Sequence, residues 1–103
     1  MYSIVLVTVS SKQEAKKIAL GLLKEKLAAC INIIDSISSC FWWEGKINTA
    51  KEVLLVIKTK KSLFNTLSKK VKSLHSYSVP EIIALPIIKG NKQYLEWIDG
   101  ATR

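Results

Sequence analysis

Apolar and polar positions change period along this chain, and the changes mark its elements. Residues 2–10 carry Ile4, Val5, Leu6, Val7 and Val9 with little polar alternation, the pattern of a strand covered on both faces. Ser11, with Glu14 three residues on, has the spacing of a capping box at a helix start. Ala15, Ile18, Ala19, Leu22 and Leu23 then recur at helical spacing, while Lys12, Lys16, Lys17, Lys24 and Lys26 point elsewhere. Residues 28–43 read as a long strand through Cys30, Ile31, Ile33, Ile34 and Ile37. Asp35-Ser36 bends or bulges it, since both are poor strand formers. A turn at Glu44-Gly45 sends the chain back as a strand over 46–58, whose centre, 53–57, is again apolar on both faces. Ser62 opens a second helix with Phe64, Leu67, Val71 and Leu74 on one stripe. Residues 76–80 form a loop, because Pro80 pushes Val79 out of helical geometry. Residues 81–88 form a strand whose Pro86 places it near a sheet edge or a bulge. Asn91 caps a short helix bearing Tyr94, Leu95 and Ile98, and Gly100 stops it.

The resulting order, βαββαβ plus a C-terminal helix, is the split-βαβ arrangement of ferredoxin-like α+β folds. It places two helices on one face of an antiparallel sheet, and in a monomer the other face is polar. The first and third strands are not written that way. Their doubly apolar centres require a second cover, and a neighbouring subunit is the nearest source.

Composition sharpens this picture. The 103 residues form one domain, 1–103, with no room for a second core. A hydrophobic fraction of 49% is a high apolar load for so small a surface-to-volume budget, which again points to oligomerisation. The formal net charge is +8, from sixteen Lys+Arg against eight Asp+Glu, yet Arg103 is the sole arginine. Base reading and bidentate phosphate grips favour arginine, so no nucleic-acid partner is expected. No apolar run approaches the ~18 to 20 residues of a membrane span, and none has the basic flank of a signal peptide. The two cysteines lack CxxC spacing, which fits neither a disulfide framework nor a zinc clip. A cytoplasmic protein without a membrane partner is expected.

Five blocks carry a resemblance: 27–34 (LAACINII), 42–46 (WWEGK), 52–59 (EVLLVIKT), 79–87 (VPEIIALPI) and 94–97 (YLEW). Together, in this order and spacing, they resemble the CutA divalent-cation-tolerance family across nearly the whole chain. The resemblance implies a ferredoxin-like fold, a tight homotrimer of PII-like quaternary structure, and a response to divalent metals, copper among them. One departure stands out. The family writes the loop before the last strand as His-Pro-Tyr-Glu-Val-Pro-Glu, whereas residues 75–81 read His-Ser-Tyr-Ser-Val-Pro-Glu. Losing the proline loosens the loop entropically, and Ser78 in place of glutamate removes an anionic ligand.

Cys30, Glu52 and His75 are the candidate ligands for copper or zinc, with no cofactor obligatory. A hairpin turning at residues 44–46 makes Trp43 face Ile47, so Glu52 faces Ser38. That lies eight positions, or roughly 26 Å, from Cys30. A Cys30–Glu52 metal site within one chain is thereby excluded unless the bend folds the strand back, while a site between subunits can still combine them. The same register sets Cys40 opposite Ala50 and diagonal to Glu52, close enough to share an ion, and rules out a Cys30–Cys40 disulfide. Trp43, Lys58, Tyr77 and Glu81 are cleft candidates, suited through Lys58 and Tyr77 to a small anion. Trp42 and Trp97 are interface anchors. No nucleophile–base–orienter set is present: there is one histidine and no GxSxG, P-loop, HExxH or GxGxxG. The functional expectation is a non-enzymatic, trimeric metal-response protein with weak intersubunit sites. The alternative is a PII-like regulatory or scaffold trimer binding a small anion or a protein partner, without metal.

Overall fold

The computed structural model describes residues 1–103. Its strands are β1 (Tyr2–Val9), β2 (Cys30–Trp43), β3 (Lys46–Lys60) and β4 (Ile82–Pro86), and its helices α1 (Lys12–Lys24), α2 (Phe64–Leu74) and α3 (Lys92–Ala101). The strands form one antiparallel sheet in the order β2-β3-β1-β4, which is the ferredoxin-like α+β arrangement. β4 is shorter than the expected 81–88 and lies at the sheet edge, where Pro86 ends it without breaking an inner ladder.

Alternation along the strands divides the sheet into two faces. Val5, Val7, Val9, Leu55 and Ile57 pack under α1 and α2 against Ile18, Leu22, Leu67 and Val71, all fully buried. The other face carries Ile4, Leu6, Leu54 and Val56, half-buried within the chain, with Ile83 and Leu85 on β4 exposed. The expected double burial of β1 and β3 is therefore absent from the single chain. Their inner positions are covered and their outer apolar positions are open.

Three local expectations change, one of them that Gly100, expected to stop the last helix, lies within α3, which runs on to Ala101. Ser11 caps α1 by accepting the Glu14 N–H at 3.1 Å, but the Glu14 carboxylate does not return to close a capping box. Ser62 caps nothing. It sits within a 3₁₀ turn over Lys61–Leu63 that leads into α2 with no side-chain cap.

The β2–β3 hairpin is longer than the rest of the sheet. β1 pairs with β3 only over residues 53–60, so residues 46–52 pair with β2 alone and project as a two-stranded arm. At its tip, Glu44 and Gly45 both have positive φ (50° and 75°), the requirement of a type I′ two-residue turn. Trp43 consequently pairs with Lys46, not Ile47, Glu52 with Ile37, not Ser38, and Cys40 with Thr49, not Ala50. The one-residue slip turns Cys40 to the opposite side of the ladder from Glu52, although both border the groove along the arm. The bend expected at Asp35-Ser36 is a bulge, with a register shift between Ile34 and Ile37 and Ser36 at φ 60°.

Candidate functional site

The helix-to-strand loop after α2 is where buried polar chemistry collects. His75 ends α2 with its side chain fully buried. Its Nδ1 lies 3.0 Å from the Tyr77 N–H, which can only donate, so Nδ1 is the acceptor. The proton then sits on Nε2, which donates to the Thr8 carbonyl at 2.8 Å. Both ring nitrogens are committed, and the imidazole pins the loop to the end of β1. Glu14 holds the same loop from α1: its carboxylate accepts the Ser76 N–H at 2.7 Å, the Ser76 hydroxyl at 3.0 Å and the Ser10 hydroxyl at 2.9 Å. Burial opposes ionisation of Glu14, but the Ser76 and Ser10 hydrogen bonds outweigh it and hold the carboxyl below its usual range.

The fixed loop delivers Tyr77 to Glu52, its hydroxyl donating to Oε2 at 2.9 Å. Burial first, and the Glu52 carboxylate second, push the phenol up to about 12, so it keeps its proton throughout the neutral range. Tyr77 and Glu52 form one end of a groove of about 740 Å³ that runs along the arm from its root to Trp43 beside the tip. Phe41 and Trp43 from β2 and Glu81 before β4 complete its chemistry, and no Lys, Arg or His lines it. The groove is negative and aromatic within a chain of net charge +8.

The expected site residues divide accordingly. Tyr77 meets Glu52, and Glu81 and Trp43 border the same groove, Trp43 at its far end, whereas Lys58 does not join them. Lys58 pairs across the ladder with Cys30 and hydrogen-bonds Asn32 on the open sheet face. The anion grip expected of Lys58 and Tyr77 is thus not assembled within one chain. The copper or zinc set also comes apart. Cys30 and the Glu52 partner Ile37 are about seven residues, or ~23 Å, apart along β2, and His75 has no free nitrogen. No three His, Cys, Asp or Glu side chains lie close enough to hold an ion, so these residues do not fit a metal centre within the chain. Both cysteines are free, and Tyr94 of α3 rests its hydroxyl against the Cys30 thiol. Trp42 is 72% exposed on the outer side of the arm. Trp97 is half-exposed on α3, its ring 5.5 Å from that of Tyr94.

Two functional residues escaped the sequence reading. Phe41 was hidden by the register: only the two-residue turn puts it on the face of Glu52. Glu14 was read as a capping residue, and nothing in the helix pattern shows that its carboxylate reaches a loop some sixty residues away.

The profile of the CutA1 divalent ion tolerance protein family matches residues 3–101. The chain belongs to the CutA1 family. Protein CutA 1, chloroplastic, of Oryza sativa is 52% identical over 100 residues, covering 97% of this chain. The divalent-cation tolerance protein CutA of Thermus thermophilus is 46% identical over 98 residues, 95% of each chain. The solved CutA1 structure from that organism aligns over 100% of both chains with a TM-score of 0.98 and 45% identity. The structure described as the periplasmic divalent cation tolerance protein CutA of Archaeoglobus fulgidus aligns over 98% of both at 0.95, with 46% identity. The chain spans 56% and 55% of the length of the curated plant relatives it matches, and nearly all of the Thermus one. These names give no enzymatic activity. Because they include chloroplastic and periplasmic proteins, the cytoplasmic expectation is not carried forward. No helix is long and apolar enough to cross a membrane.

Proposed function

We propose that this CutA1-family chain works as a homotrimer in divalent-cation tolerance, with weak cation sites completed between subunits around Glu52. One observation carries the cation reading. Glu52 is nine-tenths buried, hydrogen-bonded only to a neutral phenol, and has no Lys, Arg or His partner. A carboxylate with one neutral donor and no cationic partner favours positive charge beside it. The assembly is supported by the open sheet face. Ile4, Leu6, Leu54, Val56, Ile83 and Leu85 line it, and water is a poor neighbour for so continuous an apolar surface. The number three rests on the family resemblance, with Trp42 and Trp97 as anchors for neighbouring copies. Copper or zinc binding through Cys30 takes the form of a weak site between subunits, since one chain offers no complete ligand set.

Native mass spectrometry of metal-free protein, with and without one equivalent of Cu²⁺ or Zn²⁺ per chain, tests both halves. The expected species is a trimer whose ion uptake falls on Glu52→Gln. A folded monomer at micromolar concentration removes the assembly, and uptake indifferent to Glu52→Gln removes Glu52 from the cation site.

Lys58 supports the second reading, a PII-like regulatory or scaffold trimer, because its ammonium stands on the open face where a cleft between copies can present it to an anion. That reading predicts a rise in Tm with citrate that Lys58→Met abolishes.

A further inference from the structure

The helices α1 and α2 cover the sheet on the side away from its open apolar face, so an assembly through that face leaves their outer surfaces in water. They lie directly against one another. A Cβ on Gly21 of α1 would stand 2.8 Å from Leu74 Cδ1 of α2, and Lys70 pairs with Glu25 at 2.7 Å. Their outer faces therefore form one broad surface. Segments 12–26 and 60–72, which carry the two helices, hold ten lysines and two glutamates. That difference accounts for the whole net charge of +8, so the rest of the chain is neutral overall. Neither glutamate is free: Glu25 is held by Lys70, and Glu14 is turned to Ser10 and Ser76.

Among these lysines stand two leucines that the core does not use. Leu20 is 56% and Leu23 38% exposed, while Ile18, Ala19 and Leu22 on the inner side of α1 are buried. Lys16, Lys17 and Lys24 all lie within about one helical turn of Leu20. Leucines ringed by long ammonium side chains suit a surface that is anionic at its boundary and apolar just beneath. There the leucines enter the apolar layer while the lysine stems extend and keep their charges at the headgroups. Nucleic acid has no use for the leucines, and its phosphates are gripped best by arginine, of which the chain has only Arg103. An acidic protein segment meets charge at a few points, whereas here the exposed lysines run from Lys12 to Lys26 along α1 and on to Lys69 and Lys72 of α2. A diffuse anionic surface matches that spread.

We propose that the outer face of α1 and α2 docks on an anionic lipid bilayer, with its lysines at the phosphate headgroups and Leu20 and Leu23 in the interface. The expectation of no membrane partner follows from the lack of a spanning helix, and a peripheral contact needs none. Each lysine brought near such a surface strengthens binding about fivefold, and the attraction fades within a Debye length, so the contact is reversible and sensitive to salt.

Co-sedimentation of the intact protein with vesicles of phosphatidylglycerol and phosphatidylcholine in equal parts, against pure phosphatidylcholine vesicles, tests it. The expected result is binding to the anionic vesicles alone, present at about 0.05 M salt and lost at about 0.5 M. Lys17→Gln combined with Lys24→Gln weakens it at least about tenfold, and Leu20→Ser several-fold. All three side chains are exposed, so folding is not at risk. Lys89→Gln combined with Lys92→Gln removes the same charge from outside this face and leaves binding unchanged. Failure to bind anionic vesicles overturns the proposal. So does equal binding by wild type and the Lys17/Lys24 variant, or an equal loss in the Lys89/Lys92 variant, which would trace the binding to net charge. Duplex DNA or polyglutamate bound by the same lysines, with vesicle binding indifferent to Leu20→Ser, assigns the face to a soluble polyanion and overturns the bilayer as its partner.

Discussion

At the scale of single residues, position 76 changes the meaning of the loop. Proline, which the family pattern places there, has no N–H, whereas Ser76 donates both its N–H and its hydroxyl to Glu14. The expected entropic loosening is therefore opposed by a tether that proline cannot make. Ser76→Pro recovers about 0.4–1 kcal/mol from the unfolded chain but loses hydrogen bonds to a charged group, worth about 1.5–3 kcal/mol. A net destabilisation of about 1–2 kcal/mol at pH 7 is expected by urea unfolding. Because Glu14 titrates below its ordinary value of 4.5 in the folded chain, its contribution is present above that pH and lost as pH falls through the folded value. The gap between Ser76→Pro and wild type should narrow as pH falls below 4.5 and Glu14 takes up its proton. A gap that does not narrow with acidification assigns the effect to backbone strain instead. Tyr77 behaves oppositely in sign. Raised from 10.0 to about 12, it leaves stability intact below pH 10 and withdraws it between pH 10 and about 12. Tyr77→Phe is expected to cost about 1–3 kcal/mol at pH 7 by leaving Glu52 without its donor, and to remove this part of the alkaline loss.

At the scale of elements, three left-handed residues, Ser36 in the bulge and Glu44 and Gly45 in the turn, decide what the arm presents. The bulge at Ser36 absorbs one extra residue, so Ile34 and Ile37 both lie on the open side, opposite Leu54 and Glu52. Regular pairing of Ser36 with Glu52 would turn Ser38, Cys40 and Trp42 onto the face of Glu52 in place of Ser39, Phe41 and Trp43. With φ at 60°, Ser36 occupies a region that costs an L-residue about 1–2 kcal/mol and a β-branched one more. Thermal melts should separate two variants by sign: Ser36→Val lowers Tm and Ser36→Gly holds or raises it. Equal Tm values would mean that the bulge migrates along β2. The pattern of poor strand formers located this bulge in advance. The turn was located as well, but its length was not, since Glu44-Gly45 permits either a two- or a three-residue connection and the ladder chooses between them.

At the scale of the whole molecule, the sheet has a helical side and an unfinished side. The helical side bears the lysines and is at ease in water. The open side places Leu6 and Val56 at the centre of an apolar surface, flanked by Ile83 on β4. A charge there tests the assembly: Val56→Glu, half-buried in the chain, is expected to fold and to run as a monomer by size exclusion with light scattering. Burying that carboxylate between three copies would cost several kcal/mol per ion. A Val56→Glu trimer of wild-type stability would place the interface elsewhere.

Helix and strand periods, the edge position of β4, the bulge and the need for a second cover over the sheet were all written in the local order of side chains. Each follows from a repeat of two or 3.6 residues, or from one residue's allowed dihedrals. The candidate site was legible only in part, because Trp43, Tyr77 and Glu81 border one groove while Lys58, Cys30 and His75 go elsewhere. Their destinations depend on a one-residue register, on a buried imidazole with both nitrogens engaged, and on a carboxylate of α1 that holds the loop after α2. Such facts join residues far apart in the chain. They are set by which turn closes the ladder and which donors remain when the backbone has paired, and only the tertiary structure decides those.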